Sequence, residues 1–206
     1  VHRLTDEDFL ATNEDILKAY VPSSNVTALL FKSMEASHVI WDVGDMRSAD
    51  KESIAHCLTG ATKIIFTINS IAYNRYSAGD QYLSGWNKLE DQFALFRKTL
   101  HAHKDYLPSI SLIVLIFTRK DEIEEELIRS PPQRRYPDCP ADSQGQTLPS
   151  DYFHWLRNRF FDLVPNTFMG VINTIQANLV DPEVPIAREM DRVLQGPWSS
   201  DAYFFR

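Results

Sequence analysis

Apolar and polar positions follow two rhythms along this chain, one with the period of a strand and one with the period of a helix. Residues 26–32 (VTALLFK) and 38–43 (HVIWDV) are rich in β-branched and aromatic side chains, and Ser33 to Ser37 between them reads as a hairpin loop. Residues 62–68 (TKIIFTI), 110–117 (ISLIVLIF) and 168–173 (FMGVIN) predict three more strands. A continuous apolar run such as 110–117 belongs in a sheet covered on both faces. Leu83, Trp86, Leu89, Phe93, Phe96 and Leu100 recur at spacings of three and four, which predicts an amphipathic helix over 80–103. Shorter helices are expected at 120–129, ended by Pro131 and Pro132, and at 150–163, with Ser150 as N-cap and Pro165 as stop. A last helix is expected over 185–195, closed by Gly196 and Pro197. The proline-rich stretch 131–149 reads as a surface loop.

Strands alternating with helices predict an α/β fold, a mostly parallel sheet flanked by helices. The hairpin is expected to join the other strands in one sheet, with only its leading strand antiparallel. The length of 206 residues suits a single domain, 1–206. Hydrophobic residues at 44% and charged residues at 24% exclude a disordered chain. A net charge of -7 argues against nucleic acid as a partner, because the backbone phosphates would be repelled. The two cysteines, Cys57 and Cys139, form no C-x-x-C motif, which suits a reducing compartment and offers no metal framework. No apolar run approaches the ~18 residues of a transmembrane helix. The chain opens on Val1 with no signal peptide, and an incomplete N-terminus is expected.

Ligands of parallel α/β sheets bind at the carboxyl ends of strands, so the residues that follow each strand matter most. Asp42-Val43-Gly44-Asp45-Met46-Arg47-Ser48 follows the hairpin, and Thr118-Arg119-Lys120-Asp121 follows the apolar run. An acidic residue ending one strand and a Lys-Asp pair ending another is the layout of a guanine-nucleotide switch. The acid would hold magnesium, and the aspartate would accept from the N1 and N2 donors of guanine while the lysine stem packs along the base. Alone, a D-x-G triplet or a K-D pair is more often a turn or a solvated face.

The wider text changes that weight. Asp42-Val43-Gly44-x-x-Arg47-Ser48 is followed by Ile54-Ala55-His56-Cys57-Leu58-x-Gly60-Ala61-Thr62-x-Ile64-Ile65-Phe66. This resembles the switch II region of G-protein alpha subunits, which reads roughly DVGGQRS, IHCFEG, VTAIIF. Phe117-Thr118-Arg119-Lys120-Asp121 with Glu125, Ile128 and Pro131 resembles the family's FLNKKDLFEEKIKKSPL, and Tyr136-Pro137-Asp138 its CYPEY. Asp15 to Ser24 resembles DVLRTRVKTT, the entry to switch I. The order holds from residue 13 to about 175. The resemblance implies a partial Ras-like GTPase fold with switch I near 15–26 and switch II near 42–58. It implies GTP or GDP and Mg2+ as ligands, and a βγ dimer, a receptor and effectors as partners. It places the protein in the cytoplasm, at the cytoplasmic face of the plasma membrane.

The same resemblance implies nucleotide contacts from Leu17, Lys18, Tyr20, Ser23, Asp42, Val43, Gly44, Asp45, Met46, Thr118, Arg119, Lys120, Asp121 and Ile172, with Ser23 and Asp42 at the metal. Several of these depart from the family. Tyr20 stands where an arginine acts on the transition state, and Met46 where a glutamine orients water. Asp45 replaces a glycine whose N–H faces the γ-phosphate, and a carboxylate there repels phosphate. Thr118 replaces the asparagine of N-K-x-D, and the T-C-A-T loop aligns with Gly170 to Asn173, so that the N–H of Ile172 faces the base. Lys120 and Asp121 remain on the base side. No G-x-x-x-x-G-K-[ST] phosphate loop occurs in the sequence.

Two functions follow as expectations. One is a GTP-binding signal transducer with impaired hydrolysis, so that no intact catalytic set is expected. The other is a non-catalytic pseudo-GTPase that binds proteins through switch II and the 80–103 helix. Of the remaining chemistry-bearing residues, His56 and Cys57 read as packing positions. His101 and His103 read as solvated, with too few ligands nearby for zinc. No G-x-S-x-G elbow supports a hydrolase.

Overall fold

The computed structural model describes residues 26–32, 37–44, 51–75, 87–177 and 203–204. The hairpin is made by β1 (Thr27–Lys32) and β2 (Ser37–Asp42), antiparallel, with Leu29 opposite Ile40 and Leu30 opposite Val39. Helix α1 (Lys51–Leu58) leads into β3 (Lys63–Asn69). Helix α2 (Lys88–Ala102) precedes β4 (Leu112–Thr118). Helix α3 (Ile123–Arg129) and helix α4 (Pro149–Phe161) lie between β4 and β5 (Val171–Gln176), and β6 (Tyr203–Phe204) closes the order. Strands β3, β4 and β5 are parallel, and β6 adds antiparallel to β5.

The expectation of one sheet is corrected here. The hairpin forms a two-stranded sheet of its own, and β3-β4-β5-β6 form a second of four strands. The antiparallel strands are therefore β1 against β2 and β6 against β5. The reason is spatial. A gap of about 420 Å³ lies between β2 and β3 and is lined by Ile40, Trp41, Ile54, Cys57, Ile65 and Phe96 among others, so these two strands do not reach each other to hydrogen-bond.

Strand β4 bears out the reading of its apolar run. Leu112, Val114 and Ile116 face one cluster, and Ile113, Leu115 and Phe117 the other, with none more than 5% exposed. On the second face, Phe160 of α4 is fully buried amid aromatic rings. Its ring centroid lies 4.8 Å from Phe93, 5.3 Å from Phe96 and 6.3 Å from Phe66 and Phe117. Offset and edge-on ring pairs of this kind stabilise beyond their burial alone.

Helix boundaries follow local chemistry. The side chain of Asn87 caps α2 by accepting from the amides of Leu89 and Glu90. Its Nδ2 donates to the carbonyl of Tyr73, and its Oδ1 also accepts from the Tyr136 hydroxyl, so a fully buried amide is satisfied on both ends. Leu83 and Trp86, expected in this helix, lie outside the described residues, as does 185–195. The N-cap expected at Ser150 is not there. Leu148 holds the cap position without a side-chain bond, and Pro149 opens the helix, where its missing N–H costs nothing and its fixed φ favours the first turn. The stretch 120–129 splits into a 3-10 turn, Lys120–Glu122, followed by α3.

The loop 131–149 is at the surface in part only. Tyr136, Cys139 and Thr147 are buried and pin it to the body of the domain. Burial pushes the Cys139 thiol up to about 12, so it acts there as a small apolar group.

Candidate functional site

Three parallel strands end at the same edge of the larger sheet, and their carboxyl ends bring Asn69, Thr118 and Gln176 together. The hydroxyl of Thr118 donates to the carbonyl of Ile68 at 3.1 Å, which turns it toward β3 and away from the loop that follows. Arg119 then takes a left-handed conformation, φ 60° and ψ 40°, and this reverses the chain into the turn that carries Lys120 and Asp121. Counting from Thr118 as the first place of N-K-x-D puts Arg119, not Lys120, in the lysine place. Its guanidinium is held by Glu122 through two contacts, 2.7 Å and 2.9 Å. Asp121 is exposed, and no described residue donates a hydrogen bond to its carboxylate. Its acceptor oxygens are therefore open to paired N–H donors, as the fit to guanine requires.

The register corrects the placement of Ile172. Ile172 pairs with Ile113 at the beginning of β4 and is fully buried. Its amide is therefore at the other end of the sheet from Asp121. The residue that meets the Asp121 turn is Ala177, whose N–H donates to the carbonyl of Phe117 at 2.8 Å and whose carbonyl accepts from the N–H of Lys120 at 3.4 Å. Sequence reading misses it because it places T-C-A-T on Gly170 to Asn173, at the opposite end of β5. The length of β5 fixes the register, and only the pairing with β4 reveals it.

On the hairpin, Asp42 ends β2 and its Oδ1 accepts from the Gly44 amide at 2.9 Å, while Gly44 takes φ 68°. That positive φ suits glycine and lets the chain fold back over the carboxylate. Asp42 Oδ2 accepts no hydrogen bond from a described residue. A single carboxylate oxygen at an exposed strand end suits a hydrated Mg2+ that takes its other ligands from water and phosphate. Val43 lines the gap between β2 and β3. Leu17, Lys18, Tyr20, Ser23, Asp45 and Met46 lie outside the described residues.

Other expected positions sort plainly. Cys57 is buried as a packing residue, and exposed His56 meets the Trp41 ring edge-on at 5.9 Å. His101 is exposed, but His103 is buried at 4% exposure, against the expectation that both are solvated. It closes α2 and lies against Tyr106 at 6.2 Å.

The comparison with known proteins decides what this arrangement descends from. A family model described as the G-protein alpha subunit matches residues 1–185. The chain belongs to the G-protein alpha subunit family. It is 26% identical over 163 residues to a guanine nucleotide-binding protein subunit alpha of Emericella nidulans, a stretch covering 79% of this chain and 43% of the relative. The G-protein complex alpha subunit gpaA of Aspergillus fumigatus matches with the same identity and coverage, 26% over 163 residues. The match spans less than half the length of these curated relatives, 43%. The α/β architecture with its parallel β3, β4 and β5 agrees with a partial Ras-like fold of the G-protein alpha type. Among the described residues, no helix is long and apolar enough to cross a membrane.

Proposed function

We propose that this chain carries the guanine-facing and switch II portion of a G-protein alpha signal transducer in receptor-coupled signalling. The observation that carries the reading is the exposed Asp121 turn at the carboxyl end of β4, joined to Ala177 at the end of β5. Asp121 would read the guanine edge, with Arg119 beside the base in the lysine place and the backbone about Ala177 closing that side. Asp42, with Ser23, would hold Mg2+, which supplies charge neutralisation to bound phosphates. Leu17, Lys18, Val43, Gly44, Thr118 and Lys120 complete the nucleotide side. A βγ dimer, a receptor and effectors are the partners the reading implies, met at the cytoplasmic face of the plasma membrane.

Hydrolysis in this reading is slow, because Tyr20 and Met46 supply neither the charge nor the water-orienting group that the family uses. Asp45 adds repulsion at the γ-phosphate. The experiment is a titration of the purified chain with GTP, GDP and ATP, with and without Asp121→Ala. Weak binding with a guanine preference that disappears in the variant supports the reading. Sub-micromolar GTP binding that survives Asp121→Ala overturns it.

A second reading draws on one observation. Leu30, Val39 and Trp41 share a face of the hairpin and are 66%, 58% and 42% exposed. Apolar surface so displayed suits contact with another segment or protein. In this reading the chain is a pseudo-GTPase that binds partners through switch II and α2 without turnover. Binding to a βγ dimer that is indifferent to GDP and GTP favours it over the first.

A further inference from the structure

The Tyr136-Pro137-Asp138 segment has no part in the nucleotide reading, yet it builds a second concavity of about 470 Å³ whose lining includes no residue of the Asp121 turn. Glu90, Arg134, Arg135, Tyr136, Asp138 and Arg159 line it. Tyr136 is the buried floor, tied by its hydroxyl to Asn87 at 3.1 Å. Asp138 is fixed from below, its Oδ2 accepting from the Trp155 indole at 2.8 Å. Arg159 comes from the last turn of α4, and its guanidinium sits 5.8 Å from the ring centroids of both Phe93 and Trp155. Its contact with Asp138 is long, 3.9 Å, so its donors are not saturated by that carboxylate. Arg134 and Arg135 are exposed and form no ion pair with a described residue.

Three guanidinium groups thus converge on one open groove in a chain whose net charge is -7. Of the two carboxylates there, Asp138 already shares an oxygen with the Trp155 indole. Planar guanidinium forks match the oxygens of a phosphate, and ring stacking pre-orients one of them. We propose that this groove binds a phosphorylated side chain presented on a peptide segment of a partner protein. The groove suits a presented group better than a free ion, because Arg134, Arg135, Asp138 and Arg159 are exposed and no wall encloses an ion on its own. Its lining residues are none of those assigned to nucleotide, so its failure and that of the Asp121 reading are distinguishable.

The test uses the 206-residue chain and the Trp155 indole N–H resonance as reporter. The probes are a short peptide carrying one phosphoserine, its unphosphorylated twin, inorganic phosphate, and vesicles containing a phosphoinositide. The phosphopeptide is expected to shift the Trp155 resonance saturably, and the twin to leave it unmoved. The double variant R134A/R135A should weaken binding about tenfold, equivalent to about 1.4 kcal/mol, with its melting temperature unchanged. The E90Q variant should tighten it by removing a facing carboxylate. Absence of phosphopeptide binding, equal binding of the twin, or indifference to R134A/R135A overturns the proposal. Inorganic phosphate binding as tightly as the peptide would mean an adventitious ion only, and tighter capture by the vesicles would mean a lipid site; either result also overturns it.

Discussion

The N–H of Lys120 donates to the carbonyl of Ala177, which stitches the turn after β4 to the end of β5 beside Asp121. Ile172, second in the same strand, is fully buried opposite Ile113. These placements separate recognition from stability. Asp121→Ala should abolish any preference of the chain for guanine over adenine nucleotide while leaving its melting temperature unchanged, since the carboxylate is exposed. Ile172→Ala should do the reverse, with a loss of ~2–5 kcal/mol from cavity formation and no change in base preference. Denaturant unfolding and NMR titration with the two nucleotides check both arms. A loss of preference on Ile172→Ala at an unchanged melting temperature would sink the assignment of this side chain to the core alone.

Phe160 touches the rings of Phe66, Phe93, Phe96 and Phe117, so it ties β3, α2 and β4 to α4. Truncation to alanine removes a fully buried ring at a point where four neighbours cannot all collapse inward. Phe160→Ala should cost ~3–5 kcal/mol. Phe161→Ala, next in the chain but only partly buried, should cost distinctly less. Urea midpoints for the two variants test the difference.

Much of this core was legible because strand and helix periods are strong signals. The continuous run about Val114 predicts a strand buried on both faces, and Phe93 and Phe96 at helical spacing predict a buried helix face. What escaped was set by contacts that periodicity does not encode. Ser150 has the right chemistry for a cap, but Pro149 fixes the helix start one residue earlier. His103 follows a helix and reads as solvated, yet the 3-10 turn that begins at Lys104 folds Tyr106 against it. The separation of the hairpin from the main sheet goes with the gap between β2 and β3, which no local pattern states. At the candidate site, Asp42 and Asp121 were visible as strand-end acids, whereas Ala177 emerged only from strand register.

Gly170 precedes β5 where the chain passes close to β4. A Cβ there would meet the Ser111 carbonyl oxygen at 2.6 Å and the Phe168 ring at 2.6 Å. The Val171 amide donates to that same carbonyl at 2.9 Å, so the backbone cannot retreat without losing the bond. Gly170→Ala should therefore destabilise by ~1–3 kcal/mol through overpacking. Gly60→Ala is a different case, because a Cβ there meets nothing within 4 Å and only its φ of 78° is unfavourable. Comparing the two melting temperatures distinguishes crowding from backbone strain.

His103 carries a pH dependence. Burial, and then the charge of Lys51, hold its pKa below the ordinary histidine value of 6.5. The unfolded chain therefore takes up a proton here at a higher pH than the folded chain does. The neutral His103 contributes stability that is full above the unfolded pKa and is lost as pH falls toward the folded one. His103→Asn should flatten the decline in melting temperature below about pH 6.5. An unchanged difference between wild type and variant from pH 7.5 down to 5 would sink the argument.

The impaired hydrolysis proposed above turns on residues upstream of the described hairpin and at its exit. The resemblance aligns Tyr20 with the family's cis-acting arginine and Met46 with its glutamine. Arginine at the first place neutralises charge that develops in the transition state, and glutamine at the second orients the attacking water. Neither is chiefly a ground-state binding group, so their absence should spare nucleotide affinity more than turnover. Asp45 differs, because its carboxylate would face the γ-phosphate already in the ground state. The material for the test is a chimera that joins the upstream segment of the Emericella nidulans relative, as far as the start of the match, to this chain. Its single-turnover GTP hydrolysis should be slow, since loss of the arginine alone is worth ~10³–10⁵ in rate. Tyr20→Arg with Met46→Gln should raise the rate more than either change alone. Asp45→Gly should mainly tighten GTP, with little change in the rate of the bound complex. If the unaltered chimera hydrolyses GTP as fast as the parent relative, Tyr20 and Met46 do not stand at those places, or another side chain has taken over the chemistry.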